Sequence, residues 1–143
     1  MTLDTDWQVV QTAAAGLAPQ GPMDPIQSFR VRRIDRTVLV DLSGLRLAQD
    51  GAGLANLGTL PAWAAAAIAQ QYFWVNDHPT SLHPSQCAVH RSRVLYWTGQ
   101  IVKGGLGVTR PEQLQGGLEF TTVTDFPKHL ATTPIEEEPR WMR

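Results

Sequence analysis

Residues 29–34 of this chain alternate in character one for one, the two-residue period of a strand with one face buried. Phe29, Val31 and Arg33 alternate with Arg30, Arg32 and Ile34, and after Asp35-Arg36 the run 37–42 is rich in β-branched residues. Together they predict a hairpin. A short strand is expected at 7–10, leading into the small residues 12–18. Pro19, Pro22 and Pro25 then exclude a continuing helix, because proline lacks the amide donor and restricts the residue before it. Further strands are expected at 72–75, 86–90, 93–97, 100–102 and 118–123, with Gly99, Gly104-Gly105-Leu106-Gly107 and Gly116-Gly117 between them. Ser43-Gly44, Gly51, Gly53 and Gly58 read as punctuation. The alanine-rich stretch 62–70, with Pro61 at a first helical position, predicts one short helical or irregular turn.

Short strands at such spacing, joined by glycine turns, predict an all-β, mostly antiparallel fold: a jelly-roll-like β-sandwich over residues 1–126. From 127 on, Pro134, Glu136-Glu137-Glu138, Pro139 and Trp141 leave little to bury, so 127–143 is expected as an extended C-terminal tail. Chain ends are usually poorly tied down, yet Trp141 and Met142 are residue types favoured where one protein docks on another. They are candidate partner-contact residues.

At 143 residues the chain has the size of one domain with one core. A net charge of −1 supplies no positive field for nucleic acid. The first ten residues lack the cationic and apolar regions of a signal peptide, and no run is apolar for the ~20 residues of a membrane helix. A soluble product, with neither a cleavable signal nor membrane insertion, is expected. With Cys87 the single cysteine, no intrachain disulfide can form, and the fold must rest on packing.

Ten of the twelve cationic residues are arginine, and Arg30, Arg32, Arg33 and Arg36 crowd one stretch. Arg30, Arg32 and Arg33 are candidate contacts for an anion or a carbohydrate; the plainer reading is charge on solvated faces of a strand and turn. His78, His83, Cys87 and His90 are all zinc-ligand types, which opens a zinc-binding module or a small metal-dependent enzyme as an alternative. Their spacing lacks paired knuckles, however, and on a strand Cys87 and His90 point to opposite faces. No nucleophile elbow, phosphate loop or dinucleotide fingerprint is present. The expectation is a protein without enzymatic activity, metal or other cofactor. Trp7, Trp74, Trp97 and Phe120 are expected in core and edge packing, although one exposed aromatic pair would be enough for a carbohydrate contact.

Taken in order, the motifs form a series: Trp7; Pro22-Met23-Asp24-Pro25-Ile26-Gln27; Arg33-Ile34-Asp35; the apolar run 38–44; Thr59-Leu60-Pro61-Ala62; Tyr72-Phe73-Trp74-Val75-Asn76; and Gly117-Leu118-Glu119-Phe120-Thr121. Over residues 7–122 this order resembles the β-sandwich domains of bacteriophage tail-fibre, baseplate and minor tail proteins. It departs from the pattern at Asp35, where glycine is usual, at Trp63 after the Leu-Pro-Ala turn, and in the length of 38–44. The resemblance implies a virion protein made in the host cytoplasm, a small tail-appendage or host-attachment subunit, or alternatively a capsid decoration (head fibre) protein. It further implies a homotrimer and contacts with other virion proteins and with host-surface carbohydrate; the segment after Phe126 has no counterpart in the pattern, and in a virion it would serve as an anchor or clamp on a neighbouring subunit.

Overall fold

The alternating runs become eight strands. The computed structural model describes residues 2–18, 26–47, 55–76, 84–98 and 113–132. The strands are β1 (Gln8–Thr12), β2 (Gln27–Ile34), β3 (Thr37–Asp41), β4 (Ala55–Thr59), β5 (Gln70–Asn76), β6 (Pro84–His90), β7 (Val94–Trp97) and β8 (Gly117–Thr121). Two single-turn 3-10 segments, Ala62–Ala64 and Lys128–Leu130, are the only helical elements among the described residues. The strands pair antiparallel into two four-stranded sheets, sheet 1 in the order β1-β2-β3-β8 and sheet 2 in the order β4-β7-β6-β5. The fold is an all-β sandwich.

Each sheet combines a meander with one distant strand. β1, β2 and β3 run side by side and β8 closes onto β3; β5, β6 and β7 do the same and β4 closes onto β7. The pairs β3·β8, β4·β7 and β5·β6 are therefore nested along the sequence, the jelly-roll-like part of the topology. The β2–β3 turn is tight because Asp35 takes a left-handed φ of 51°, a conformation that Asn and Asp tolerate better than most residues.

Strand alternation fills the space between the sheets. Phe29, Val31, Val38, Val40, Leu118 and Phe120 from sheet 1 meet Leu57, Val75, Cys87, Val89, Leu95 and Trp97 from sheet 2 in one buried cluster. The rings of Phe73 and Phe120 approach with centroids 6.2 Å apart. Each large side chain withdrawn from water contributes about 1.5–3 kcal/mol. Trp97 keeps its polar atom satisfied inside the core, where Nε1 donates to Ser85 Oγ.

The strand β4 is where local preference yields to tertiary structure. Its sequence, ANLGT, is poor in β-formers, yet Leu57 is fully buried and Gly58 sits at a register shift against β7. Gly58 has φ +137°, and a Cβ there would meet Thr12 Oγ1 at 2.8 Å and the Phe29 ring at 3.1 Å. Only glycine brings β4 this close to sheet 1, and Thr12 Oγ1 donates to Leu57 O across the gap (3.2 Å).

Backbone hydrogen bonds close one end of the sandwich. Leu114 is held by Leu45 and Gly44 (2.7 and 2.9 Å), while Gln115 exchanges two bonds with Asn76 at the end of β5 (2.7 and 3.0 Å). Leu42, Leu45 and Leu114 fill the space beneath. Buried Gln27 ties two further loops: its amide nitrogen donates to Ala18 O and Arg46 O, and its carbonyl accepts from Arg46 N (2.8 Å). Residues 128–132, at the start of the expected tail, fold back on their own domain, with Thr132 N–H donating to Asp4 O (2.8 Å).

Candidate functional site

Side chains along β2 alternate in exposure, so its three arginines part company: Arg30 and Arg32 leave the outer face of sheet 1, and Arg33 enters the core side. Register sets Arg30 opposite Asp41, and the two form an ion pair. Arg32 grips Asp4 with both Nε (3.0 Å) and Nη2 (2.6 Å), a bidentate fork that fastens the N-terminal segment to the sheet. Both guanidinium groups lie over the Trp7 ring, 5.2 and 5.9 Å from its centroid. Each such contact contributes about 0.5–1 kcal/mol at an exposed site.

The pairing shifts the titration of these groups. The Arg32 hydrogen bonds hold the Asp4 carboxyl below its ordinary value, and Asp4 raises Arg32 in return. Desolvation alone would push Asp41 up, but the bonds from Arg30 and Ser43 together outweigh it and leave Asp41 lowered.

Arg33 is only 2% exposed. Its Nε donates to Asp35 O (2.7 Å), Nη2 to Thr124 O (2.7 Å), and Nη1 to Trp63 O (2.8 Å), Thr124 Oγ1 (2.9 Å) and Asp125 O (3.1 Å). The guanidinium also lies 5.3 Å from the Phe126 ring centroid. Desolvation, and after it the nearby Arg36 charge, lower its pKa. Arg33 thus joins the β2–β3 turn, the 3-10 turn after Pro61 and the segment after β8. Expected as a partner contact, it is an internal clamp, because its position on β2 has the parity of Phe29 and Val31.

Sheet 2 presents a different outer face. The outward positions of β5 are Gln70, Tyr72 and Trp74, and Tyr72 and Trp74 are 57% and 63% exposed. Register places Trp74 opposite Gln86, Gln70 opposite His90, and Tyr72 in one row with Ala88, Tyr96 and Asn56. Asn76 shares the parity of Trp74, and Thr59 and Val94 face outward on the other strands, so these strand positions carry no Asp, Glu, Lys or Arg. Gln70 Nε2 donates to the Tyr72 hydroxyl (2.7 Å), and the single Thr98 hydroxyl proton is shared between Gln86 O (3.0 Å) and Gln86 Oε1 (3.2 Å). At the far end, Ser92 N–H donates to His90 Nδ1 (3.0 Å).

Of the four aromatics expected in core and edge packing, Trp97 and Phe120 are buried, Trp7 underlies two arginines, and Trp74 stands open. Cys87 is buried between the sheets and His90 is on the outer face of β6, so these two do not converge. His78 and His83 lie outside the described residues, as do Trp141, Met142 and the strand expected at 100–102. Compared with protein-family models, curated proteins and solved structures, the chain matches none.

Proposed function

We propose that this chain is a non-enzymatic binding and structural subunit of a tailed-phage virion, a small tail-appendage or host-attachment protein. The observation that carries the binding half of this reading is the pair Tyr72 and Trp74. Two large aromatics side by side on one edge strand, both more than half exposed, are what a recognition surface presents and a purely structural sheet covers. The virion half rests on the ordered motif series in the sequence, and a sandwich hosts many functions. Among the described residues, β1 and β8 bound sheet 1 while β4 and, apart from the Asn76–Gln115 bridge, β5 bound sheet 2, and such edges are commonly protected by assembly. A homotrimer fits that need.

Purified particles test the proposal. Mass spectrometry of density-banded phage from the producing host should find this chain in stoichiometric amount, and antibody-labelled electron microscopy should place it on the tail. Light scattering of the isolated protein should give three times the monomer mass. Label on the head would move the protein to capsid decoration. Absence from purified particles would remove the virion reading altogether.

A further inference from the structure

The outer face of sheet 2 has the chemistry of a receptor for one kind of ligand. We infer that Tyr72 and Trp74, with Gln70 and Gln86 beside them, bind an uncharged oligosaccharide laid along β5. This rests on the binding reading above and names the ligand class and the face.

Three observations carry it. The first is charge. The outward strand positions of sheet 2 hold rings, amides, hydroxyls and an imidazole but no Asp, Glu, Lys or Arg, whereas the outer face of sheet 1 holds Arg30, Arg32, Asp41 and Glu119. A neutral polyol loses no ion hydration on reaching such strands, while an anionic glycan would find no cation at these strand positions, the exposed Arg91 lying beyond them in the β6–β7 turn.

The second is the pairing of flat apolar surface with fixed hydrogen-bonding groups, the combination by which sites hold polar organic ligands in one orientation. The C–H faces of sugar rings stack on the indole and the phenol, and their hydroxyls exchange hydrogen bonds with the amides. Tyr72 and Trp74 are two residues apart on β5, which sets them about 6.6–6.8 Å apart along the strand, on the same face. Gln70 is already bonded to the Tyr72 hydroxyl, and Gln86 stands directly opposite Trp74, its side-chain carbonyl sharing the Thr98 hydroxyl with its own backbone oxygen. Both amides therefore flank the rings without any rearrangement of the backbone.

The third is size, which separates a glycan from a second copy of this chain. Fully burying an aromatic side chain removes about 150–250 Å². The two rings together thus offer at most about 300–500 Å², and by themselves they fall short of the roughly 800 Å² per partner of a specific protein interface. The patch suits a ligand of a few sugar rings.

The test is a glycan array carrying neutral glucose-, galactose- and N-acetylglucosamine-containing oligosaccharides beside sialylated and sulfated ones, followed by calorimetry on the hits. At least one neutral glycan should bind, with an affinity that changes less than two-fold between low and high salt. Trp74→Ala should weaken it at least ten-fold and Tyr72→Ala several-fold, while Arg30→Ala on the opposite face leaves it unchanged. Both rings are exposed, so unfolding midpoints should confirm that the variants keep their fold.

Binding confined to anionic glycans, or lost in Arg30→Ala and at high salt, would overturn the inference. So would concentration-dependent self-association abolished by Trp74→Ala, which assigns the face to a second copy. No glycan bound by a protein that is found in the particles would sink this inference and leave the virion reading standing; glycan binding by a protein absent from particles would do the reverse.

Discussion

The outer faces of the two sheets belong to strands of similar length and cover the same core, but their polar groups are in different states. On sheet 1, Arg30 answers Asp41, Arg32 answers Asp4, and Trp7 lies beneath both guanidinium groups. The ionic groups that stand out in the sequence are committed to holding the N-terminal segment and the β2–β3 hairpin together. On sheet 2, the hydrogen bonds among Gln70, Tyr72, Gln86 and Thr98 orient side chains without covering the rings. A cluster of charge is thus no guide to a binding surface until its partners within the chain are known, and an uncharged face with open rings can be the more available one.

The sharpest way to break this contrast is at Arg33, where the commitment of sheet 1 runs deepest. Arg33→Met takes the guanidinium donors from the carbonyls of Asp35, Thr124 and Asp125 and leaves Trp63 O with only the Thr124 hydroxyl, and urea unfolding should show a loss of about 3–5 kcal/mol. Arg33→Lys should recover only part of it, because one ammonium cannot reproduce the planar fork. A loss below about 1 kcal/mol would show the clamp to be passive.

Next comes the tie between β2 and the N-terminal segment. Arg32→Ala removes a two-point bond and a ring contact, and should cost about 1 kcal/mol, with earlier proteolysis of the first residues as a second readout. Acid should act on the same tie. Asp4 and Asp41 titrate lower in the folded chain than in the unfolded one, so their contribution is fully present above the unfolded value near about 3.9. It is lost as pH falls through their folded values. Urea midpoints should therefore fall more steeply below about pH 4 in the native chain than in the D4N/D41N double variant; parallel curves would contradict the pairing.

The smallest effect is expected on sheet 2. Replacing Tyr72 and Trp74 together by Ser should change stability by no more than about 0.5 kcal/mol, since neither side chain is buried. A loss above about 2 kcal/mol, the scale of a buried aromatic, would mean the rings pack against something in the free protein and would erase the difference between the faces.

Much of the sandwich was legible because alternation is a local signal. The β2–β3 hairpin, β5, β6, β7 and β8 fall where alternation, β-branched and aromatic runs and glycine turns place them, and the alternation of β2 carried Arg33 inward with Phe29 and Val31. The strand β4 was not legible, since Asn56 and Gly58 read as turn residues and only the close passage beside Thr12 and Phe29 explains them. Nor was the pairing of β8 with β3, which depends on where the chain returns. Exposure has no local signature either. Trp74 and Trp97 each end an aromatic run, and only their parity relative to the core separates an open ring from a buried one. Gln27 gave no sign of its buried role, because the loops it ties are distant in sequence.

The nesting of β3·β8 around β4·β7 and β5·β6 has a consequence for how the chain is made. Synthesis runs from the N-terminus, so β1, β2 and β3 leave the ribosome as a finished meander whose β3 edge has no neighbour until Gly117–Thr121 emerges. Through that interval Val38, Leu39 and Val40 present an unprotected template for any other extended chain. Sheet 2 can zip its own meander meanwhile, but β4 waits for β7 in the same way. Acquisition of structure is then bounded by the last strand to arrive, and the long separations make it slow, as in other proteins built on non-local pairing. Close packing at Gly117, where a Cβ would lie 2.3 Å from Val40 O, lets that late strand seat flush against β3. A bulkier residue there would lengthen the time during which nascent copies can stick to one another.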